Sequence, residues 1–338
     1  MSEHLLVLSH LRVQNANAIS SPMTWGFPAM TAFIGLMQAL ERQCRYDGVD
    51  IHFHGIGVVC HSADPQTQRS AYGQHTFLLT RNPLKSNGQT AAIVEEGRIH
   101  LELSLVFKVS GDACNGTHEE REALAQQLDD RLQRMRIAGG SILPREDTRI
   151  GSSQRQRFHV PLLEPLVPNH TAQLNRLKRR LLPGFALILR EDALTKRLDT
   201  LQKTQPQASL MDAWLDLSRL NHGYVTNDEG KSYWAMLRRQ PGWLVPIPVG
   251  YSALSDEIPA HEIANARDPH TPLRFVEPLF SIGEWYSPHR ISDIDELLWR
   301  RRPHTDERLF LLDMCASPAT RNAGTASELE PEYDPTDY

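Results

Sequence analysis

One stretch of this sequence constrains the fold more than any other. Residues 97–109, GRIHLELSLVFKV, alternate apolar and polar side chains, which is the pattern of a strand that buries one face. Two further stretches also predict strands: residues 4–11 are mostly apolar, and residues 51–60 read IHFHGIGVVC. The chain must therefore build a sheet from segments that lie far apart in sequence.

The sequence also predicts two amphipathic helices, one between the first and second strands and one after the third. Residues 28–42 carry apolar side chains at helical spacing, namely Met30, Phe33, Ile34, Met37 and Leu40. Residues 119–136 do the same with Leu124, Leu128, Leu132 and Met135, and we expect this helix to end at Ala138-Gly139-Gly140. The order strand, helix, strand, strand, helix is most of the split βαβ pattern, so residues 1–143 predict an α+β fold with a ferredoxin-like core.

The remaining chain predicts additions to that core. Residues 61–95 are too long and too polar for an ordinary connection, and Asn87-Gly88 within them is a hairpin signal, so we expect an inserted hairpin. Residues 144–240 predict an insertion that contains a basic helix (171–182), a fourth core strand (185–190) and two further helices (191–203 and 209–221). Residues 241–315 predict two extended segments (242–251 and 275–280) and a helix (291–301). Residues 316–338 predict an acidic, disordered tail.

Composition narrows the class of protein. No run of about 18 apolar residues occurs, and the N-terminus lacks the basic start of a signal peptide, so we expect a cytoplasmic protein without a membrane span. The four cysteines are scattered and form no CxxC pair, which argues against a structural metal site, and no cofactor motif is present. The net charge of −5 is unusual for a nucleic-acid binder, but five acids lie in the last eleven residues, and the basic residues are clustered.

Four segments carry side chains suited to RNA. Residues 14–28, QNANAISSPMTWGFP, combine amides and hydroxyls with aromatic rings, the mixture that single-stranded RNA recognition uses. Residues 80–90, TRNPLKSNGQT, place two cations near a turn, and RLKRR at 176–180 places arginines on one side of a helix. Gly139-Gly140 could expose backbone N–H groups to a phosphate. Each segment also has a plain structural interpretation: a capped loop, a solvated hairpin tip, a salt-bridged helix face, and a helix stop.

Histidines offer the one visible catalytic alternative. His52 and His54 lie at i and i+2 of a predicted strand, and His61 follows closely. Such residues can run acid–base cleavage of RNA, but no HExxH, serine elbow or paired-carboxylate motif supports them. We therefore expect no catalytic residues and no enzyme activity.

Taken in order, several stretches resemble one known family. They are QNANAISSPMTWGFP, LTRNPL, TAAIVEEGRIHLELSL, RIAGGSILP, KRRLLPGFALILR, PGWLVPIPVGY, NARDPHTPLRFVEPLF and GEWYSPHR. Over about residues 12–290 the chain resembles the second Csy subunit of type I-F CRISPR surveillance (Cascade) complexes, which belongs to the RAMP superfamily. The resemblance implies an RRM-like form of the ferredoxin-like core, with a β-hairpin thumb at 61–95.

The resemblance also implies a function and partners. The family binds the 5′ handle of the CRISPR RNA, pairs with the large Csy subunit, abuts a backbone Csy subunit, and reaches target DNA only through the assembled ribonucleoprotein of antiviral defence. It implies RNA contacts at the positions that stand inside matching stretches: Asn15, Asn17, Ser20, Trp25, Arg81, Asn82, Gly139, Gly140, Arg179 and Arg180, with Arg176 beside them. The alternatives are an endoribonuclease that processes precursor CRISPR RNA, and a structural adaptor that binds only proteins.

Overall fold

The structure, a computed structural model, describes residues 2–71, 73–78, 89, 96–144, 160–167, 170–227, 230–236, 242–262, 268, 270–303 and 306–316. The strands are β1 (His4–Asn17), β2 (Ile19–Ser21), β3 (Thr24–Trp25), β4 (His52–Pro65), β5 (Thr67–Arg69), β6 (His75–Phe77), β7 (Arg98–Ser110), β8 (Arg136–Ile137), β9 (Gly140–Ile142), β10 (Leu162–Pro165), β11 (Phe185–Leu189), β12 (His222–Thr226), β13 (Ser232–Met236), β14 (Leu244–Ala253), β15 (Val276–Tyr286), β16 (Trp299–Arg301) and β17 (Leu309–Met314). The helices are α1 (Met30–Tyr46), α2 (His118–Gln133), α3 (Thr171–Leu181), α4 (Glu191–Gln202) and α5 (Leu210–Ser218).

The three strands predicted from apolar patterning form the centre of one antiparallel sheet. β7 lies between β1 and β4 and pairs with both along nearly its whole length. The first residues of β1, from His4 to Leu8, are buried on both faces, which explains their continuous apolar run. The predicted α+β class is confirmed, since this sheet is combined with five described helices.

The two helices of the first half form where the periodicity places them. All five apolar residues predicted for α1 are buried, and Leu124, Leu128 and Leu132 of α2 are buried too. A capping box starts α2, because Thr117 accepts a hydrogen bond from the Glu120 N–H while the Glu120 carboxylate accepts one from the Thr117 N–H. The helix therefore begins at His118.

The large sheet contains eleven strands, and part of it closes on itself. The order is β11-β15-β14-β17-β16-β4-β7-β1-β9-β8, with β10 also on β1 and β11 also on β4. One edge of β4 pairs with β7, while the other is shared: Ile56 pairs with Trp299 of β16, and Val59 and Cys60 pair with β11. Six strands therefore form a closed circuit that joins the two halves of the chain.

Three sequence predictions are corrected by these pairings. The strand at 185–190 forms, but it pairs with β4 and β15; the place beside β1 is taken by β9 and β10. The helix predicted at 291–301 is instead a 3-10 turn at Ile294–Glu296 followed by β16, because the side chain of Trp299 is buried in the core while its backbone pairs in the sheet. Helix α2 ends at Gln133, and the glycine pair belongs to a β-hairpin rather than to a helix stop.

The predicted extended segment at 242–251 becomes β14, despite its prolines. Pro246 and Pro248 lie opposite β15, while the pairing of β14 with β17 begins only at Gly250. Over the prolines, β14 is thus bonded on one side alone, which is where a residue without an N–H is tolerated. Pro246 and Pro248 also line a cleft on the protein surface.

Three predicted regions lie partly or wholly outside the described residues. Most of the thumb tip is among them, since the structure describes only Gln89 between 79 and 95. The described part of 61–78 shows β4 continuing to Pro65 and a short hairpin of β5 and β6. Residues 145–159 of the predicted insertion and the tail from residue 317 onwards also lie outside.

Candidate nucleic-acid interface

The first candidate residues lie where β1 ends. Asn15 sits at a bulge with φ of 58°, and its backbone N–H donates to Nδ1 of His100 over 3.1 Å. Its side chain is exposed. Asn17 is also exposed, but its amide bonds locally, donating to the Ile19 carbonyl (2.8 Å) and accepting from the Ile19 N–H (3.1 Å). Asn15 therefore has the more available amide of the two.

The glycine pair lies directly beside these asparagines. Ala138 and Gly139 make the turn between β8 and β9, both with positive φ, and the Asn17 N–H donates to the Ala138 carbonyl over 2.9 Å. A Cβ at Gly140 would come within 2.7 Å of the Ala16 nitrogen, whereas a Cβ at Gly139 would meet nothing within 4 Å. Gly140 thus allows close packing on β1, and Gly139 forms the exposed tip.

Two arginines that the sequence analysis did not single out flank this tip. Arg98 donates to the Asn15 carbonyl and also pairs with Glu96, and Arg136, whose side chain is exposed, lies 3.5 Å from the Gly139 carbonyl. Both arginines lie far from Asn15 and Asn17 in sequence, so no local pattern could have linked them to these asparagines. Only the pairing of β7 with β1 and the β8–β9 hairpin bring them there.

Ser20 and Trp25 belong to the small hairpin of β2 and β3. The Ser20 hydroxyl lies 2.8 Å from the Thr24 hydroxyl and 3.2 Å from the Thr24 carbonyl, so it is used to close the hairpin. Trp25 is 64% exposed, with one edge against Phe77 at a ring-centroid distance of 5.4 Å. The structural interpretation thus accounts for Ser20, while Trp25 remains available to a ligand.

Beyond Trp25 opens a cleft of about 390 Å³, which we call the aromatic cleft. Its lining includes aromatic rings from four separate segments, namely Trp25, Phe27, Phe185, Trp243 and Trp285. The rings support one another: the centroid of Trp285 lies 4.9 Å from that of Phe27 and 6.2 Å from that of Trp243. The Trp243 carbonyl also accepts a hydrogen bond from the Trp285 N–H over 3.0 Å, which fixes this wall.

The basic helix α3 runs to within three residues of the cleft. Leu177 and Leu181 are buried, and the chain continues through Leu182–Gly184 to Phe185. The three arginines do not share one exposed face. Arg176 is ion-paired with Glu164 (2.6 Å), and Arg180 donates from Nε to the Ser9 hydroxyl of β1 (2.8 Å).

Arg179 differs from these two neighbours. Like Arg176 it is exposed, but no described side chain forms an ion pair or hydrogen bond with it. It is therefore the cation of α3 best placed to meet a phosphate. The two remaining candidates, Arg81 and Asn82, lie outside the described residues.

The histidines of the catalytic alternative are not brought together. His54 and His61 lie on the single strand β4, seven residues apart, which corresponds to a separation of about 20 Å. His52 lies 3.3 Å from both Glu41 and Asp50, and the His54 Nε2 lies 2.7 Å from the Ser110 hydroxyl. The three rings therefore cannot act on one phosphate.

His61 has both ring nitrogens engaged. Its Nδ1 donates to the Pro183 carbonyl (2.6 Å), so Nε2 accepts from the Ser104 hydroxyl (2.7 Å) in the neutral ring. The ring stacks on His10 at 4.2 Å. Burial lowers the pKa of His61, against the raising influence of the Pro183 hydrogen bond and of Glu102. Through its hydrogen bond to Pro183, His61 fixes the short segment that connects α3 to the cleft.

The described residues hold neither a metal-binding cluster nor a membrane-spanning helix. No three His, Cys, Asp or Glu side chains in this part of the chain come together in a way that would hold a metal ion. None of its helices has the length and apolar character needed to span a bilayer. All four cysteines are free, and burial raises the pKa of Cys60, which lines the cleft, to about 12.

Comparison with known proteins covers nearly the whole chain. A family model described as "CRISPR-associated protein (Cas_Csy2)" matches residues 6–312, which include every element of the site. The chain is also 46% identical, over 321 residues, to the CRISPR-associated protein Csy2 of Pseudomonas aeruginosa strain UCBPP-PA14. That alignment covers 91% of this chain and 94% of the relative.

Proposed function

Because the chain belongs to the Csy2 family of CRISPR-associated proteins, we propose that it caps the 5′ handle of the CRISPR RNA in a type I-F surveillance complex. In this role it binds RNA without cutting it, pairs with the large Csy subunit, and contacts a backbone Csy subunit. It supports RNA-guided recognition of foreign DNA in the cytoplasm, and it requires no cofactor.

One observation carries the proposal of RNA binding. The Asn17–Ala138 hydrogen bond places an exposed amide (Asn15) beside an exposed glycine tip (Gly139) that is distant in sequence. The exposed ring of Trp25 follows in the same segment as Asn15 and lines the aromatic cleft, and the helix that carries the exposed Arg179 leads to Phe185 of that cleft. Bases splayed out of a single strand stack on aromatic rings, while amides, N–H groups and arginines hold their edges and phosphates. A few such contacts suffice for one RNA end in a chain whose net charge is −5.

The ferredoxin-like core is the framework we propose for this surface. Three central strands in the order β1, β7, β4, with α1 after β1 and α2 after β7, support it. The strand beside β1 in that arrangement is supplied by β10 and β9, from residues 140–165. This assignment replaces residues 185–190 in the role of fourth core strand.

A second surface supports pairing with partner proteins. Where the β14–β15 pair ends, Leu254 (64% exposed), Phe275 and Val276 are exposed together, and the Leu254 N–H donates to the Phe275 carbonyl. Adjacent exposed apolar residues of this size favour coverage by another protein. This surface is what a protein-only adaptor would use, so the adaptor remains the alternative to test.

The proposal is tested by purification from cells. The tagged chain is co-expressed with a CRISPR array and the neighbouring genes, and the copurifying RNA and proteins are identified. A uniform short RNA together with a large partner is the expected result. Partners without RNA would favour the adaptor, and shortened precursor RNA made by the purified chain alone, abolished in His61→Ala, would establish the endoribonuclease.

A further inference from the structure

Three of the aromatic side chains that line the aromatic cleft are largely exposed to solvent. Trp25, Trp243 and Phe185 are 64%, 56% and 43% exposed, respectively, and all three line the same cleft. Exposed rings that stand alone are ordinary, but three around one concave surface mark a place that a ligand covers. Since Trp25 already belongs to the proposed RNA surface, that surface continues into the cleft.

The lining offers little hydrogen bonding to a ligand. The Ser20 hydroxyl is engaged with Thr24, and both nitrogens of His61 are engaged with Pro183 and Ser104. Ser62 is exposed at the cleft, and its hydroxyl bonds to no described group. The indole N–H groups of the three lining tryptophans are the other side-chain donors, and most of the remaining lining is apolar, so a ligand held here gains most of its affinity from ring contacts.

A cation lies close to these rings along the chain. Phe185 follows α3 after the three residues Leu182–Gly184, and the exposed Arg179 lies near the end of that helix. Stacking rings beside a cationic element are the combination that holds single-stranded nucleic acid without reading its sequence. An apolar protein side chain would need the rings but not the cation, so the surroundings favour a nucleotide.

We propose that the aromatic cleft receives one unstacked nucleobase of single-stranded RNA, held by stacking and with little discrimination among the four bases. The adjoining phosphates run towards Arg179. This inference rests on the proposed function, because the strand concerned is the one that the chain caps.

The test couples the loss of one base to the loss of one ring. The copurifying RNA is resynthesised as a series in which each nucleotide in turn is abasic, and each RNA is bound to the full-length chain with its copurifying subunits, expressed without a CRISPR array. We expect one position where the missing base lowers affinity about 5- to 150-fold, as one base–aromatic stack would. Exchanging that base for any other should lower affinity less than about 3-fold.

The same series is then bound to variants. Trp243→Ala should bind more weakly and lose the sensitivity at that one position, because the ring and the base form a single interaction. Trp243→Phe keeps a ring and should retain most of the sensitivity. Trp234→Ala is the matched control, since Trp234 is 70% exposed but lies on the separate β12–β13 hairpin. Trp25→Ala is a second variant that removes a more exposed ring of the cleft.

Each contrary outcome has its own meaning. If the wild-type complex binds the RNA but no position depends on Trp243 or Trp25, the cleft proposal is wrong and RNA binding stands. If Trp243→Ala releases a partner subunit and leaves the abasic series unchanged, the occupant is a protein side chain and the cleft proposal is again wrong. If the wild-type complex binds no RNA, the proposed function fails as well.

Discussion

The two glycines at the tip of the β8–β9 hairpin differ in what limits their replacement. At Gly140 the limit is space, because Ala16 and Gln14 of β1 lie where a Cβ would stand, and at Gly139 it is backbone conformation. A sequence motif that contains both residues cannot separate these roles. The surface chemistry we assign to this turn therefore belongs to Gly139.

Substitution of Gly140 should destabilise the fold. In Gly140→Ala the new methyl group would meet backbone atoms at 2.7–2.8 Å, which cannot move as a side chain can, so we expect the free energy of unfolding to fall by about 1–3 kcal/mol. Gly35→Ala is the matched control, since Gly35 lies on the exposed side of α1 with nothing within 4 Å of its Cβ position. That variant should gain about 0.5–1 kcal/mol. Urea denaturation measures both, and equal effects would contradict the packing assignment.

Burial of His61 makes stability depend on pH. Its pKa lies below the ordinary 6.5, chiefly because burial disfavours the charged ring, so below about pH 6.5 the unfolded chain binds this proton more readily than the folded one. The stabilisation is complete above that value and is lost as the pH falls from 6.5 through the folded pKa. Stacked His10 and nearby Glu102 face the same ring.

The variant that checks this dependence is His61→Gln. Denaturation midpoints between pH 7.5 and 5 should fall more steeply for the wild-type chain than for the variant. Some dependence should remain in both, because burial also lowers the pKa of His4. Parallel curves would show that His61 does not titrate differently in the folded state.

At the scale of elements, sequence predicts what local periodicity controls. The strand at 97–109, helix α1 and the basic helix form because their apolar residues repeat with the period of the element itself. Residues 291–301 also carry a helical pattern, yet Trp299 is drawn into a strand, where its indole N–H donates to the Leu187 carbonyl over 2.7 Å. A partner 112 residues away decides that conformation, and no local pattern records it.

The helix pair α4–α5 depends on a buried ion pair. Arg197 of α4 is 4% exposed, and its Nε donates to the Asp216 carboxylate of α5 over 2.6 Å. In Asp216→Ala the arginine charge would stay buried without this partner, so we expect a loss of about 3–5 kcal/mol. Native-state hydrogen exchange in α4 and α5 measures the loss.

Arg176→Gln provides the matched comparison for that ion pair. It removes a pair in which the arginine side chain is 60% exposed, so it should change stability by less than about 1 kcal/mol. A similar loss in both variants would mean that burial of the pair between α4 and α5 is unimportant.

At the scale of the whole molecule, charge acts locally. The net charge of −5 gives no general attraction to RNA, so binding must depend on individual cations that lack an acidic partner. Each single-stranded phosphate that a cation neutralises contributes about 0.7 to the slope of log affinity against log salt. The slope therefore reports how many cations of the protein contact a phosphate.

Arg179 and Arg176 should differ in that measurement. Arg179→Gln should reduce the slope by about 0.7, because a phosphate contact is lost. Arg176→Gln should change it less, because Glu164 already neutralises that charge. Fluorescence anisotropy of the bound RNA between 50 and about 300 mM salt gives both slopes. Indistinguishable slopes would remove Arg179 from the proposed interface.

The aromatic cleft itself is a product of the whole fold. Trp25 and the neighbouring segment of 14–28 were predictable as a candidate RNA loop, since amides and rings stand together in sequence. Phe185, Trp243 and Trp285 come from three other stretches of the sequence, none of which carries the mixture of amides and rings found at 14–28. Only the pairing of β11 with β4 and of β14 with β15 brings them to Trp25.

The strands that cover the shared edge of β4 are synthesised long after β4 itself. Ile56, Val59 and Cys60 leave the ribosome early, but β11 is made more than a hundred residues later and Trp299 more than two hundred residues later. At 5–20 residues per second, the last cover for that edge arrives roughly 10–50 s after the strand itself. During this interval a nascent chain carries an unpaired apolar edge, which is the template that invites wrong partners. The first half of the chain therefore presents this edge until the second half has been translated.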